Sequence, residues 1–321
     1  MSPSRLLLAA LLPALLAGCS SVRPLEGMDE LESARTHAEW GDHEDALDLA
    51  EQALDTDTLS PEDTAEANFL AAESALILGK HLKALRLYRK VLEQAPWSPH
   101  VSIIEDRLYE IGLAFLNLDE YGGWFDSRAR GVEALELLQV HYRRSERADD
   151  ALRLVGDYFG REDVREWLEA AITHETLFDE YPESEWAEQS LWLAGHYRLR
   201  LVFGPRYNRD EMLRARALFE KSLEVHPRGA RSRDAAADLA KVRDLLARGE
   251  VLVADFYAAR NNVKGERLRL ANAALLFPET KAGLGALVRL QEMGLEIQAI
   301  AADPTLSSVD TLVPTEPEGS P

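Results

Sequence analysis

The chain holds a single thiol, Cys19, and its neighbours define its chemistry. Leu16-Ala17-Gly18-Cys19-Ser20 reads as a lipobox, preceded by Arg5 and an apolar run from Leu6 to Leu16. These are the charged, hydrophobic and small-residue regions of a secretory signal. A thiol at the cut point can take a diacylglyceryl group before cleavage, so the mature chain would begin at a lipidated Cys19. A plain secretory signal with a coincidental cysteine is the alternative. Against it, there is no second cysteine for a disulfide, and a free thiol is a liability in an oxidising compartment. The apolar run is too short to span a bilayer as a mature helix. Attachment would rest on acyl chains, each buried methylene adding about 0.8 kcal/mol.

Other chemistry is sparse. No phosphate loop and no GxGxxG after a strand is present, and His174-Glu175 has no second histidine three residues on, so a zincin motif is missing. The eight histidines are scattered; His37 and His43 fall on different expected helices. With Cys19 acylated, no thiol remains as zinc ligand or nucleophile. The expectation is no enzyme, no cofactor and no metal site. The formal charge is −20, and fifteen Asp and Glu between Glu26 and Glu66 face one Arg35. Such a surface excludes nucleic acid as a partner. It is either a solubilising face or one that repels lipopolysaccharide phosphates or attracts a basic partner.

Three residues are candidates for protein contacts. Arg206 and Tyr207 stand in Gly204-Pro205-Arg206-Tyr207-Asn208, where Pro205 fixes one backbone angle and Gly204 permits an unusual one. The segment is either a plain helix connection or an ordered loop that presents two residue types common at interfaces. Arg269 lies at the edge of a buried stripe if Leu268, Ala271 and Leu275 face inward. It is then either paired with Glu266 one turn away or free to reach outward.

The elements that must position these residues are helices. Apolar residues recur at three- and four-residue spacing almost to the end of the chain, separated by short Gly, Pro and Ser breaks. The pattern predicts helices over 29–40, 43–56, 61–78, 82–95, 99–118, 128–143, 147–159, 163–181, 184–202, 210–226, 230–260, 264–276 and 280–301, with no sheet. Pro96-Trp97-Ser98, Pro182-Glu183-Ser184 and Pro278-Glu279-Thr280 each stop one helix and offer a hydroxyl cap to the next; Pro227-Arg228-Gly229 is a looser copy. Ala72, Gly79, Ala84, Tyr88 and Pro96 stand at tetratricopeptide positions, and Ala34, Gly41, Ala46 and Ala53 repeat the unit more weakly. Ala134, Ala170 and Ala215 take the place of Ala84 in later pairs. The fold class is therefore all-α: a tetratricopeptide-like helical-hairpin solenoid of about six pairs with a long penultimate helix. The division is a signal peptide over 1–18, a lipidated tether over 19–28, the array over 29–302 and a disordered tail over 303–321, rich in proline and acid.

The second half resembles the outer-membrane assembly lipoproteins of the BamD (YfiO) type. The residues that carry this are Tyr181-Pro182-Glu183-Ser184, the Gly204–Asn208 loop, Ala215 to Phe219 ahead of His226-Pro227, Val253-Ala254-Asp255-Phe256-Tyr257 in the long helix, Arg269 before Phe277-Pro278-Glu279-Thr280, and Ala286 to Leu290. The stretch from Val101 to Arg147 departs from the pattern, with an insertion at Glu120-Tyr121-Gly122-Gly123-Trp124-Phe125, and the chain carries one pair more than the usual five. The resemblance implies a lipid-anchored scaffold on the periplasmic face of the outer membrane. Its C-terminal repeats would hold a BamA-type barrel insertase alongside other assembly lipoproteins, and its N-terminal repeats would receive unfolded outer membrane proteins. Arg269 matches the family arginine that meets an acidic residue of the insertase. Ser20 fits sorting to the outer membrane. A generic tetratricopeptide adaptor for cell-wall or polysaccharide export machinery shares the fold and remains the second reading.

Overall fold

The computed structural model describes residues 27–117 and 127–295, and every regular element among them is an α-helix. There are thirteen: α1 Met28–Trp40, α2 His43–Asp55, α3 Pro61–Ile77, α4 His81–Gln94, α5 Val101–Leu116, α6 Ser127–His141, α7 Ala148–Phe159, α8 Trp167–Glu180, α9 Ala187–Arg200, α10 Arg209–Val225, α11 Ser232–Ala258, α12 Val263–Leu276 and α13 Lys281–Glu292. The signal peptide with Cys19, the insertion at 120–125 and the tail at 303–321 lie outside the described residues. None of the described helices is long and apolar enough to cross a membrane.

The chain divides into two compact units that meet in sequence at Val101. In the first, α1 to α4 pack each against the next. Gly41 and Gly79 turn the hairpins at φ 86° and 71°, a left-handed conformation that costs glycine little. In the second unit α6 to α13 pack in chain order, and α5 meets α6 through glycines: a Cβ on Gly131 would come within 2.8 Å of the Gly112 carbonyl oxygen. Small residues do the same elsewhere. Ala46, Ala84, Ala134, Ala170 and Ala215 are all fully buried, as the tetratricopeptide register requires. The larger core residues fill what remains. Phe219 is fully buried among Met212, Val242, Leu246 and Phe277, a burial worth roughly 1.5–3 kcal/mol.

The breaks between pairs share one geometry. Ser98, Ser145, Ser184 and Thr280 each donate a backbone N–H to the carbonyl three residues earlier, from Ala95, Tyr142, Tyr181 and Phe277. The copy at Tyr142–Ser145 has Arg143 where the others have proline. The serines do not cap the following helix directly. Ser98, Ser145 and Ser184 accept from the backbone N–H two residues on, forming a turn before the helix begins. That turn moves the start of α9 to Ala187 from the expected 184. Thr280 is a true cap, accepting from Gly283 at 2.9 Å. Helix α8 starts four residues later than expected because Arg161–Val164 forms a turn and Arg165 takes a left-handed φ of 59°.

The long helix stands as expected, at Ser232–Ala258, with α12 and α13 after it. Helix α13 is shorter than expected. Gly294 at φ 77° closes it, with Gly294 N–H to Gln291 and Leu295 N–H to Leu290. This is a Schellman termination, and Leu295 completes it by packing on the α12–α13 core.

Candidate functional site

The three residues proposed from sequence lie in the second unit, around the middle of α11. The Gly204–Asn208 loop is ordered by its own chemistry. Gly204 has φ 152°, Tyr207 donates its N–H to the Gly204 carbonyl at 3.1 Å, and Asn208 sits at φ 53° before α10. Asn208 Nδ2 donates to the Leu201 carbonyl at 2.6 Å, closing the loop onto the end of α9. The loop rests on the long helix at Gly249, where a Cβ would come within 2.8 Å of the Pro205 carbonyl oxygen. Gly249 is thus the contact point that admits the loop.

The loop presents its side chains outward. Arg206 and Asn208 are exposed, Tyr207 is 61% exposed and Phe203 85%. Val253 and Phe256, four and seven residues beyond Gly249, continue along the same side of α11 and are also exposed. The Arg260 guanidinium lies 3.5 Å from the Phe256 ring centroid. Aromatic and guanidinium groups therefore dominate this surface.

Beneath it lies one buried carboxylate. Glu250, 1% exposed, pairs through Oε1 with Arg209 at 2.8 Å and through Oε2 with Arg269 at 3.1 Å. Asn272 Nδ2 donates weakly to the same Oε2 at 3.4 Å. Arg269 does sit at the edge of the buried stripe, one third exposed, beside fully buried Leu270 and Ala271. Its ionic partner is Glu250, not Glu266. Glu266 is taken by Arg289 at 2.8 Å, which also holds Asp255 at 2.6 Å and so joins α13 to α11 and α12. The expected pair one turn apart gives way to a partner on another helix.

Two more charged clusters brace the same unit. Arg198, 2% exposed, makes two bonds to Glu175 at 2.8 and 2.7 Å and one to Glu211 at 2.8 Å. Asp238 on α11 accepts from Lys241 at 2.8 Å and Trp192 at 3.2 Å and faces His196 at 3.3 Å. Its burial favours the neutral acid, but Lys241 and His196 outweigh that and hold the carboxyl below its ordinary value. His174 is fully buried beside Ser190, and that burial, aided by Arg153, lowers its pKa to about 4. It is a neutral core histidine.

The first unit carries a cleft of about 240 Å³ between α3 and α4. Ala65, Val91 and Ala95 form apolar walls, and Lys90 and Gln94 stand beside them. Asn68, 3% exposed, lines it; its Nδ2 donates to the Thr64 carbonyl at 2.8 Å, and its Oδ1 has no partner among the described residues. No group of three metal-ligating side chains occurs among the described residues.

Sequence reasoning missed Glu250 and Arg209. A signal for Glu250 existed: Val242, Leu246, Glu250 and Ala254 recur every four residues, so the carboxylate falls on the buried stripe of α11 and must find partners there.

A family model described as an outer membrane lipoprotein, YfiO, matches residues 106–307. The chain is 23% identical over 237 residues to the outer membrane protein assembly factor BamD of Pasteurella multocida, covering 67% of this chain and 87% of that one. Among solved structures, a tetratricopeptide repeat protein from Parabacteroides merdae aligns at 13% identity and TM-score 0.33, covering 85% of this chain and 95% of that one. The C-terminal part of a repeat protein from Cytophaga hutchinsonii aligns at 13% identity and TM-score 0.29, covering 83% and 89%.

Proposed function

The chain belongs to the YfiO family of outer membrane lipoproteins, and on that premise we propose that it is a scaffold for outer membrane protein assembly rather than an enzyme. Acylated Cys19 anchors it to the periplasmic face of the outer membrane. The second unit holds a BamA-type barrel insertase, in company with other assembly lipoproteins, and the first unit receives unfolded outer membrane proteins at its Asn68 cleft. The observation that carries this reading is the surface over α11. Exposed Phe203, Arg206 and Tyr207 stand on or beside a loop held at Leu201 and Gly249, and Arg209, the residue after that loop, shares Glu250 with Arg269. Aromatic and arginine groups held rigidly in this way are what a protein interface uses as anchors. Tyr207 and Arg206 are the proposed contacts of the loop, and Arg269 the proposed contact of α12.

The test is capture from detergent-solubilised envelope. The wild-type chain should co-purify with the insertase and other assembly lipoproteins. Replacing Arg206 and Tyr207 together with alanine, or Arg269→Glu alone, should reduce that capture at least tenfold, since loss of one partner of an interfacial charge pair costs about 2–5 kcal/mol. Undiminished capture by both folded variants would remove these residues from the interface. Co-purification with cell-wall or export machinery instead would favour the generic adaptor.

A further inference from the structure

Glu250 has no solvent contact to speak of, yet it lies directly under the proposed interface and divides its two oxygens between two helices. Oε1 holds Arg209, the first residue of α10 and the one that follows the Gly204–Asn208 loop. Oε2 holds Arg269 on α12. Each arginine side chain remains about one third exposed, at 36% and 33%. Two guanidinium groups share one carboxylate, so the cluster keeps one uncompensated positive charge. Arg269 uses Nη1 toward Glu250; its Nε is buried without a hydrogen-bond partner among the described residues, so what it can offer outward is carried by its Nη groups. A guanidinium offers five donors in a planar fork, so both arginines retain donors for a second carboxylate.

We infer that Glu250 is a positioning residue: from beneath the surface it fixes Arg209 and Arg269 as a paired seat for one acidic side chain of the partner protein. This rests on the reading of the second unit as the partner-binding part. It adds Arg209 as a second recognising guanidinium and explains how an α10 residue and an α12 residue act as one site. The side chains are ordered during folding, so their rotamer entropy is not lost again on binding.

Glu250→Gln tests this, because charge and position then predict opposite results. The substitution removes a negative charge and makes the surface more positive. If only net charge mattered, an acidic partner would bind more tightly. If Glu250 positions the arginines, binding weakens, since a neutral amide offers one acceptor and turns its NH₂ toward the other guanidinium. The measurement is affinity of the purified variant for the purified periplasmic domains of a BamA-type insertase, with folding checked by circular dichroism. The expected result is about tenfold weaker binding by folded Glu250→Gln. Equal or tighter binding overturns the proposal.

Glu250→Asp keeps the charge and withdraws the carboxylate by one methylene. It should also bind more weakly, and wild-type affinity in that variant overturns the proposal even if Glu250→Gln does not fold. Arginine side-chain ¹⁵N spectra of the free wild-type chain give a readout that needs no partner. The Arg209 and Arg269 guanidinium groups should rotate more slowly than exposed Arg206, and equal mobility of all three overturns the positioning. Failure of the wild-type chain to bind the insertase, with slow rotation retained, would sink the proposed function instead.

Discussion

Gly249 and Gly285 are both helical glycines with negative φ, and alanine should act on them in opposite directions. Alanine in a helix interior is favoured over glycine by about 0.5–1 kcal/mol. At Gly285, on the exposed side of α13, an added Cβ meets nothing within 4 Å. Gly285→Ala should therefore realise the whole gain. At Gly249 the same Cβ lies 2.8 Å from the Pro205 carbonyl oxygen, a backbone atom that moves only if the loop moves. Overpacking of that kind costs roughly 1–3 kcal/mol. The helix gain offsets part of it, so Gly249→Ala should be destabilising by up to about 2 kcal/mol or near neutral at the least. The difference between the two variants isolates the contact itself, because the propensity contribution is common to both.

Thermal unfolding measures this directly. For a unit of this size 1 kcal/mol moves the midpoint by about 2–4 °C. Gly285→Ala should rise by a few degrees and Gly249→Ala should fall below it. The loop gives a second readout. A displaced Pro205 should carry Tyr207 with it, so Gly249→Ala should lose insertase capture beyond any loss of stability. A rise in midpoint for Gly249→Ala equal to that of Gly285→Ala would refute the reasoning: the loop would then not rest on the helix, and Arg206 and Tyr207 would not be held by it.

The remaining predictions concern the anchor and the buried charges. Cys19→Ser should release the chain from the outer membrane fraction or leave it uncleaved, and firm retention on envelope fractionation would rule out the lipid anchor. Arg198→Met should cost about 1–3 kcal/mol in denaturant unfolding, because Glu175 and Glu211, each about a quarter exposed, would lose their shared charged donor; an unchanged stability would refute this brace. His174→Gln should flatten the acid limb of the stability curve. The folded chain holds His174 at about 4 and the unfolded chain titrates near 6.5, so stability is complete above 6.5 and drains as pH falls toward 4. From pH 7 to 4.5 the wild type should lose roughly 2–3 kcal/mol that the variant keeps, and parallel curves would place the proton elsewhere.

The helices were legible because their cause is local. Apolar periodicity, Gly41 and Gly79 at the hairpin turns, and the buried alanines at the close contacts all act within one hairpin, and each stands where the pattern put it. What was not legible depends on partners far along the chain. Tyr142-Arg143-Arg144-Ser145 makes the same break as Tyr181-Pro182-Glu183-Ser184, but the shared agent is backbone hydrogen bonding, and proline, the visible marker, is missing from it. The Arg269–Glu266 pair was sound by spacing. It lost to Glu250, a buried carboxylate that must be paired and takes Arg269, and to Arg289, which takes Glu266; both reach in from neighbouring helices. Arg206 and Tyr207 were identified from residue type and from Gly204 and Pro205 beside them, but the site on which their loop rests is a glycine more than forty positions later in the chain, at 249.

The long helix explains why these interactions collect in one place. At about 1.5 Å per residue, the 27 residues of α11 extend roughly 40 Å. The long helix α11 meets four others, α9, α10, α12 and α13. It carries an acid for each group of contacts. Asp238 accepts from Trp192 of α9 and lies against His196 of the same helix; Glu250 joins the start of α10 to α12; Asp255 takes Arg289 of α13. Two of these acids are nearly inaccessible to water, and an unpaired carboxylate there would be costly, so each contact must be complete for the helix to fold. The second unit is thereby locked at three levels by one element. A partner that touches the loop and α12 together meets groups whose spacing is set by a single helix, which is the condition for two weak contacts to act as one site.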